Sequence, residues 1–82
     1  MNKLLEEVAK DQGVTVAEIK SRKRNRPIAY ARHLFCYVAY KGQYGHHKEI
    51  GDVINRNHAT VTHSIKGCSD LLELGYLTTN LV

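Results

Sequence analysis

The chain has 82 residues, of which 43% are hydrophobic and 24% charged, with a formal charge of +4. That is room for one domain with one modest core, and it excludes both a disordered chain and a multidomain one. The longest apolar run falls far short of the ~20 residues of a spanning helix, so no membrane association is expected and the cytoplasm is the expected location. The periodicity is helical throughout, and no run alternates as a strand would. A first helix is predicted over about residues 2–12, with Leu4, Leu5, Val8 and Ala9 as its apolar stripe and Gly13 as its stop. A short second helix starts at Thr15, whose spacing to Glu18 is that of a capping box; Val16 and Ile19 point inward, and the helix ends near Ser21. Pro27 suits the first turn of a third helix, because its missing N–H has no partner there. That helix runs to about Tyr40 with Ile28, Ala31, Phe35 and Val38 inward and Leu34 beside them. Gly42 and Gly45 break the chain around Gln43-Tyr44, and a fourth helix covers about residues 47–54, burying Ile50, Val53 and Ile54. After an Asn55-Arg56-Asn57 turn, Asn57 caps a fifth helix that ends at about Leu74, before Gly75. One domain over residues 1–75 and a loose or partner-dependent tail over 76–82 are expected.

Cys36 and Cys68 lie on apolar helix faces and are expected to be buried thiols. They lack the Cys-x-x-Cys spacing of a zinc site and are too few for a disulfide framework. The charge is local: residues 20–32 carry six cations (Lys20, Arg22, Lys23, Arg24, Arg26, Arg32) and no acid. Such a block fits a polyanion bound on one face. Arginine in particular suits bidentate phosphate contact and insertion into a narrow minor groove.

On a wheel of the fifth helix, Val61, Ile65, Cys68 and Leu72 share a narrow arc, which is expected to pack on the third and fourth helices. The opposite arc holds Ala59, His63, Lys66 and Asp70, with Thr60 and Gly67 beside it and Arg56, Asn57 and His58 at the helix start. A merely solvated face is usually rich in Glu and Lys. Small and hydrogen-bonding groups near a helix N-terminus are what a helix-turn-helix presents to base edges.

These residues, in this order, resemble the C-terminal DNA-binding domain of the bacterial replication initiator DnaA. Ser21-Arg22-Lys23-Arg24-Asn25-Arg26 followed by Ile28-Ala29-Tyr30-Ala31-Arg32-His33 is similar to that family's basic loop and the helix bearing its Arg-Gln pair. Glu49-Ile50-Gly51 is similar to the Glu-Ile-Gly that opens its helix-turn-helix. Arg56-Asn57-His58-Ala59-Thr60-Val61-Thr62-His63 resembles its signature Arg-Asp-His-Thr-Thr-Val-Leu-His. The resemblance implies an all-α, compact bundle of about five helices containing a helix-turn-helix, of the TrpR and DnaA C-terminal type. It implies double-stranded DNA with a DnaA-box-like site as the partner. On this reading Arg24, with Arg22, Lys23 and Arg26 near it, serves the minor groove and phosphates. Arg32 and His33 stand for the Arg-Gln pair; Arg56, Asn57, His58, Ala59, Thr60 and His63 carry the signature; and Lys66 falls where the family often has another cation.

The chain departs from the family at Asn57 for Asp, Ala59 for the first Thr and His33 for Gln. An acceptor-only carboxylate would take cytosine N4, whereas Asn pairs with adenine, so a shifted sequence preference is expected. No Gly-rich phosphate loop with Lys-Ser/Thr is present, so a chain of this extent alone is expected to be unable to hydrolyse ATP. The expected role is a regulator or accessory factor of replication initiation or transcription, nucleoid-associated, with a phage or mobile element as one source. No enzyme, cofactor or metal site is expected: His46 and His47 are adjacent, and His58 and His63 are five apart, so neither pair shares a helical face as metal ligands do. The rival is a protein-interaction module in which the basic loop docks an acidic partner; helix one or the C-terminal tail would be the surface for another protein.

Overall fold

Local signals in the chain set where each helix begins and ends. A computed structural model describes residues 1–82 as five helices: α1 Asn2–Gln12, α2 Val16–Lys20, α3 Arg26–Lys41, α4 His47–Val53 and α5 His58–Leu74. Gly13 ends α1 in the left-handed conformation (φ 71°), and Gly75 ends α5 in the same way (φ 78°), freeing their amides to close on carbonyls of the last turn. The Thr15 hydroxyl accepts from the Glu18 N–H at 3.0 Å while the Glu18 carboxylate accepts from the Thr15 N–H at 2.9 Å, which is the reciprocal cap expected. Pro27 sits in the first turn of α3. At α4 the Glu49 carboxylate accepts from the His46 N–H at 3.0 Å, a cap of the same kind that the sequence reading did not single out.

The central helix is α3, which packs on α1, α2, α4 and α5. Leu5, Val8, Ile19, Leu34, Phe35, Ile50, Ile54 and Val61 are fully buried around it. Each removes apolar surface from water worth on the order of 2 kcal/mol. Two helix faces differ in part from the expected ones. On α3, Cys36 is buried as expected and Ala39 joins it, while Val38 is only partly so. On α5, Ser64 is buried with Val61 and Cys68, while Ile65 and Leu72 pack on the rim. The α5 face is turned toward Ser64 because α5 packs on α3 there. Helix α4 ends one residue early, with Ile54 buried as its cap and Val53 partly exposed.

Gly51 makes the helix-turn-helix corner possible. Its carbonyl accepts from the N–H of Ile54 (3.1 Å) and of Arg56 (2.8 Å). A Cβ at Gly51 would collide with the Arg56 carbonyl oxygen and press on Val61 Cγ2 at 3.2 Å. Asn55 completes the corner at φ 59°, a conformation that Asn tolerates better than other side-chain-bearing residues.

The expected loose tail is instead folded back on α1. Leu77 is 6% exposed within the core. The Thr79 hydroxyl donates to Asp11 at 2.5 Å, the Asn80 N–H donates to Asp11 at 3.3 Å, and Gln12 donates to the Thr78 carbonyl at 3.0 Å. Two apolar residues, Leu77 and Leu81, draw the segment in, and one carboxylate fixes it. No helix is long and apolar enough to cross a membrane.

Candidate nucleic-acid interface

The cationic run forms the connection between α2 and α3, and Arg22, Lys23, Arg24, Asn25 and Arg26 are all exposed on it. Its backbone is shaped first by Ser21, whose hydroxyl donates to the Glu18 carbonyl at 2.6 Å and accepts from the Lys23 N–H at 3.2 Å. Two arginines from elsewhere then hold it. Arg32 reaches from α3 beneath the loop: its Nε donates to the Ile19 carbonyl at 2.9 Å, and its Nη2 is shared among the carbonyls of Ser21 (2.9 Å), Lys23 (3.2 Å) and Glu18 (3.3 Å). Arg56 reaches from the helix-turn-helix corner, donating through Nη2 to the same Ser21 carbonyl and through Nη1 to the carbonyls of Ile54 (3.3 Å) and Asn55 (3.2 Å). One carbonyl oxygen therefore joins the basic loop to the corner.

This changes the reading of Arg32. The sequence has it facing a ligand, yet it is 6% exposed, and its Nε and Nη2 are given to carbonyls at the end of α2 and on the loop. Burial, and after it the charge of Arg56, lowers its pKa from the ordinary arginine value; a guanidinium nevertheless keeps its proton in proteins. No carboxylate bonds to Arg32 or Arg56. Their charge is met by carbonyl dipoles, so the field they add is not cancelled.

The loop and the start of α5 share one cleft of about 700 Å³. Arg22 and Arg24 line it from the loop; Ala29, Arg32 and His33 from α3; Asn55, Arg56 and Asn57 from the corner; and Thr60, His63 and Ser64 from α5. No acid is among them. A second concavity of about 630 Å³ lies at the α3–α4 junction, lined by Tyr40, Gln43, Gly45, His46 and His47, and it holds no guanidinium. The electrostatics single out the first.

Within the cleft, Asn57 caps α5, its Oδ1 accepting from the Thr60 N–H at 2.9 Å. His33 is partly buried against α5, its ring beside Gly67, and its Nδ1 has no partner. Burial lowers the His33 pKa, and the charges of Arg32 and His63 lower it further. Lys23, Arg26, His58, Ala59 and Lys66 are exposed but do not line the cleft. Lys66 stands 4.0 Å from Asp70, one turn along α5. Thr62 ties the first turn of α5 to α4: its hydroxyl donates to the His58 carbonyl (3.1 Å) and lies 2.9 Å from His47 Nδ1. Ala29, Asn55 and Ser64 line the cleft and were not singled out from the sequence. Asn55 carried a signal, since an Asn directly after an apolar helix end favours a left-handed turn.

The family of bacterial DnaA protein helix-turn-helix domains matches residues 1–67 of the chain. The chain belongs to this family. Every residue that lines the DnaA-type domain's cationic cleft falls inside the matched span, and the docked tail falls outside it. Among curated proteins, the chromosomal replication initiator protein DnaA of Pseudothermotoga lettingae is 32% identical over 73 residues. The alignment covers 89% of this chain and 16% of that relative's length. No solved structure matches the chain. The all-α, five-helix architecture is that of a DnaA-like helix-turn-helix domain.

Proposed function

We propose that this DnaA-type domain binds double-stranded DNA sequence-selectively, with the start of α5 in the major groove and the basic loop on phosphates and the neighbouring minor groove. The observation that carries the reading is the cleft in which Arg22 and Arg24 face Asn57, Thr60 and His63 with no carboxylate between them. Free guanidiniums supply the salt-dependent attraction to phosphate, while the polar groups at the helix start supply base recognition. Arg26, Lys23, His58, Ala59 and Lys66 flank the cleft and extend the same footprint; Arg32 and Arg56 act chiefly by holding the loop in place. The relative's name, chromosomal replication initiator protein, gives the context. The domain acts as a regulator or accessory factor of replication initiation or transcription, at DnaA-box-like sites on the nucleoid.

A binding selection on random duplexes at fixed salt tests this, run on the parent, Arg24→Ala and His63→Ala. Loss of Arg24 weakens binding to all sequences and reduces the salt slope by about 1. Loss of His63 mainly relaxes base preference. Variants indistinguishable from the parent would overturn the assignment. A parent that ignores duplex DNA but captures an acidic protein on Arg22–Arg26 would favour the interaction-module reading.

A further inference from the structure

We infer that Asn57 meets its base as a hydrogen-bond donor alone, so that the preferred duplex carries guanine first and thymine second at that position, and disfavours cytosine. This deepens the proposed function and rests on it.

Asn57 is the exposed residue before α5, with extended backbone (φ −79°, ψ 168°). Its side-chain oxygen is bound to the Thr60 N–H at 2.9 Å. A backbone amide is only a donor, so the inward end of the side chain must be Oδ1 and the outward end Nδ2. No group of the chain accepts from Nδ2. Turning the side chain over would leave an amide of the first turn without its cap and set two donors face to face. The bidentate pairing of asparagine with adenine uses both ends of the side chain. That pairing needs both ends turned to one base edge; here the oxygen is turned back to the Thr60 N–H, so the adenine preference expected from residue type alone is lost.

What remains is a fixed N–H donor in the cleft that Arg24 and His63 also line. In the major groove, guanine offers two acceptors, N7 and O6, and thymine offers O4. Adenine offers N7 but sets its own N6 donor beside it, and cytosine offers only the N4 donor. The order of preference follows. An aspartate at this position would keep the cap with one oxygen and turn the other outward as an acceptor, reversing the choice. A serine would keep the cap and remove the reach.

The test is a selection on random duplexes at one salt concentration with the parent, Asn57→Asp and Asn57→Ser, helix content being checked by circular dichroism. At one position the parent should select guanine, then thymine, and disfavour cytosine by roughly five- to tenfold, the lower end of direct base readout. Asn57→Asp should move that position alone to cytosine, and Asn57→Ser should flatten it while the others persist. Three identical profiles, or a parent preferring cytosine or adenine at the position that responds, would overturn the inference while sequence-selective binding stands. A parent that binds no duplex overturns the proposed function and this inference together.

Discussion

The loop between α2 and α3 and the tail after α5 are both irregular segments, and the chain fixes them by opposite chemistry. The loop is held through its carbonyls, which accept from Arg32 and Arg56. The tail is held chiefly through its donors, the Thr79 hydroxyl and the Asn80 N–H, both given to the Asp11 carboxylate, with the Thr78 carbonyl alone accepting from a side chain, that of Gln12. The first arrangement occupies the backbone and leaves Arg22 and Arg24 free. The second occupies a tail side chain and leaves no charged group exposed on the tail, since residues 76–82 contain none. The anchors also differ in how they respond to acid: guanidinium does not titrate in proteins, whereas a carboxylate does.

The largest way to break this contrast is Arg32→Met. It keeps much of the apolar stem and removes the buried donors, leaving the carbonyls of Ile19 and Lys23 without partners, while that of Glu18 keeps Ser21. A loss of about 3 kcal/mol is expected in urea unfolding, with faster amide exchange in the loop and none of that change in the tail. Next comes Arg56→Ala. The Ser21 carbonyl still has Arg32, so the cost should be about 1.5 kcal/mol, and duplex affinity should fall because loop and corner are no longer joined. A variant as stable as the parent would show that the shared carbonyl adds nothing.

Asp11→Ala should cost about 1 kcal/mol and release the tail alone. Burial by itself would raise the Asp11 pKa, but hydrogen bonds from Thr79, Gln12 and Asn80 outweigh it and bring the pKa below the ordinary 3.8. The folded value lies below the unfolded one, so this contribution is complete above the ordinary value and is lost as pH falls through the folded pKa. Exchange at the Asn80 amide, followed down to about pH 2, should accelerate in that window, while the anchors of the loop do not respond. The smallest effect belongs to His33, whose pKa is depressed from 6.5. The unfolded chain takes up this proton first, so stability should drop as pH falls below 6.5 and level off below the folded pKa. His33→Gln should remove that part of the pH dependence, which urea midpoints at about pH 7 and about pH 5 would reveal.

The same contrast explains what was legible in the chain. Helix starts and stops are local, so Thr15 with Glu18, Asn57, Gly13 and Gly75 could each be read from a few neighbouring residues. The site's two halves were legible for the same reason: the cation run and the start of the fifth helix are each contiguous. The inward turn of Arg32 was not, because its acceptors lie 9 to 14 residues back, at the end of α2 and on the loop after it, whose path depends on the packed core. Nor was the tail, whose anchor on Asp11 lies 68 residues from Thr79. Ser64 entered the buried face of α5 through the packing of that helix on α3, which no single-helix wheel contains.

The two cysteines carry a practical consequence. Burial pushes the Cys36 thiol up to about 12 and the Cys68 thiol up to about 11. Only thiolate reacts readily with alkylating reagents, so neither should be labelled while the bundle is closed. Cys36 sits between the central helix and α5, so the rate at which a reagent captures it counts how often those two helices part, a clock for opening that needs no added probe.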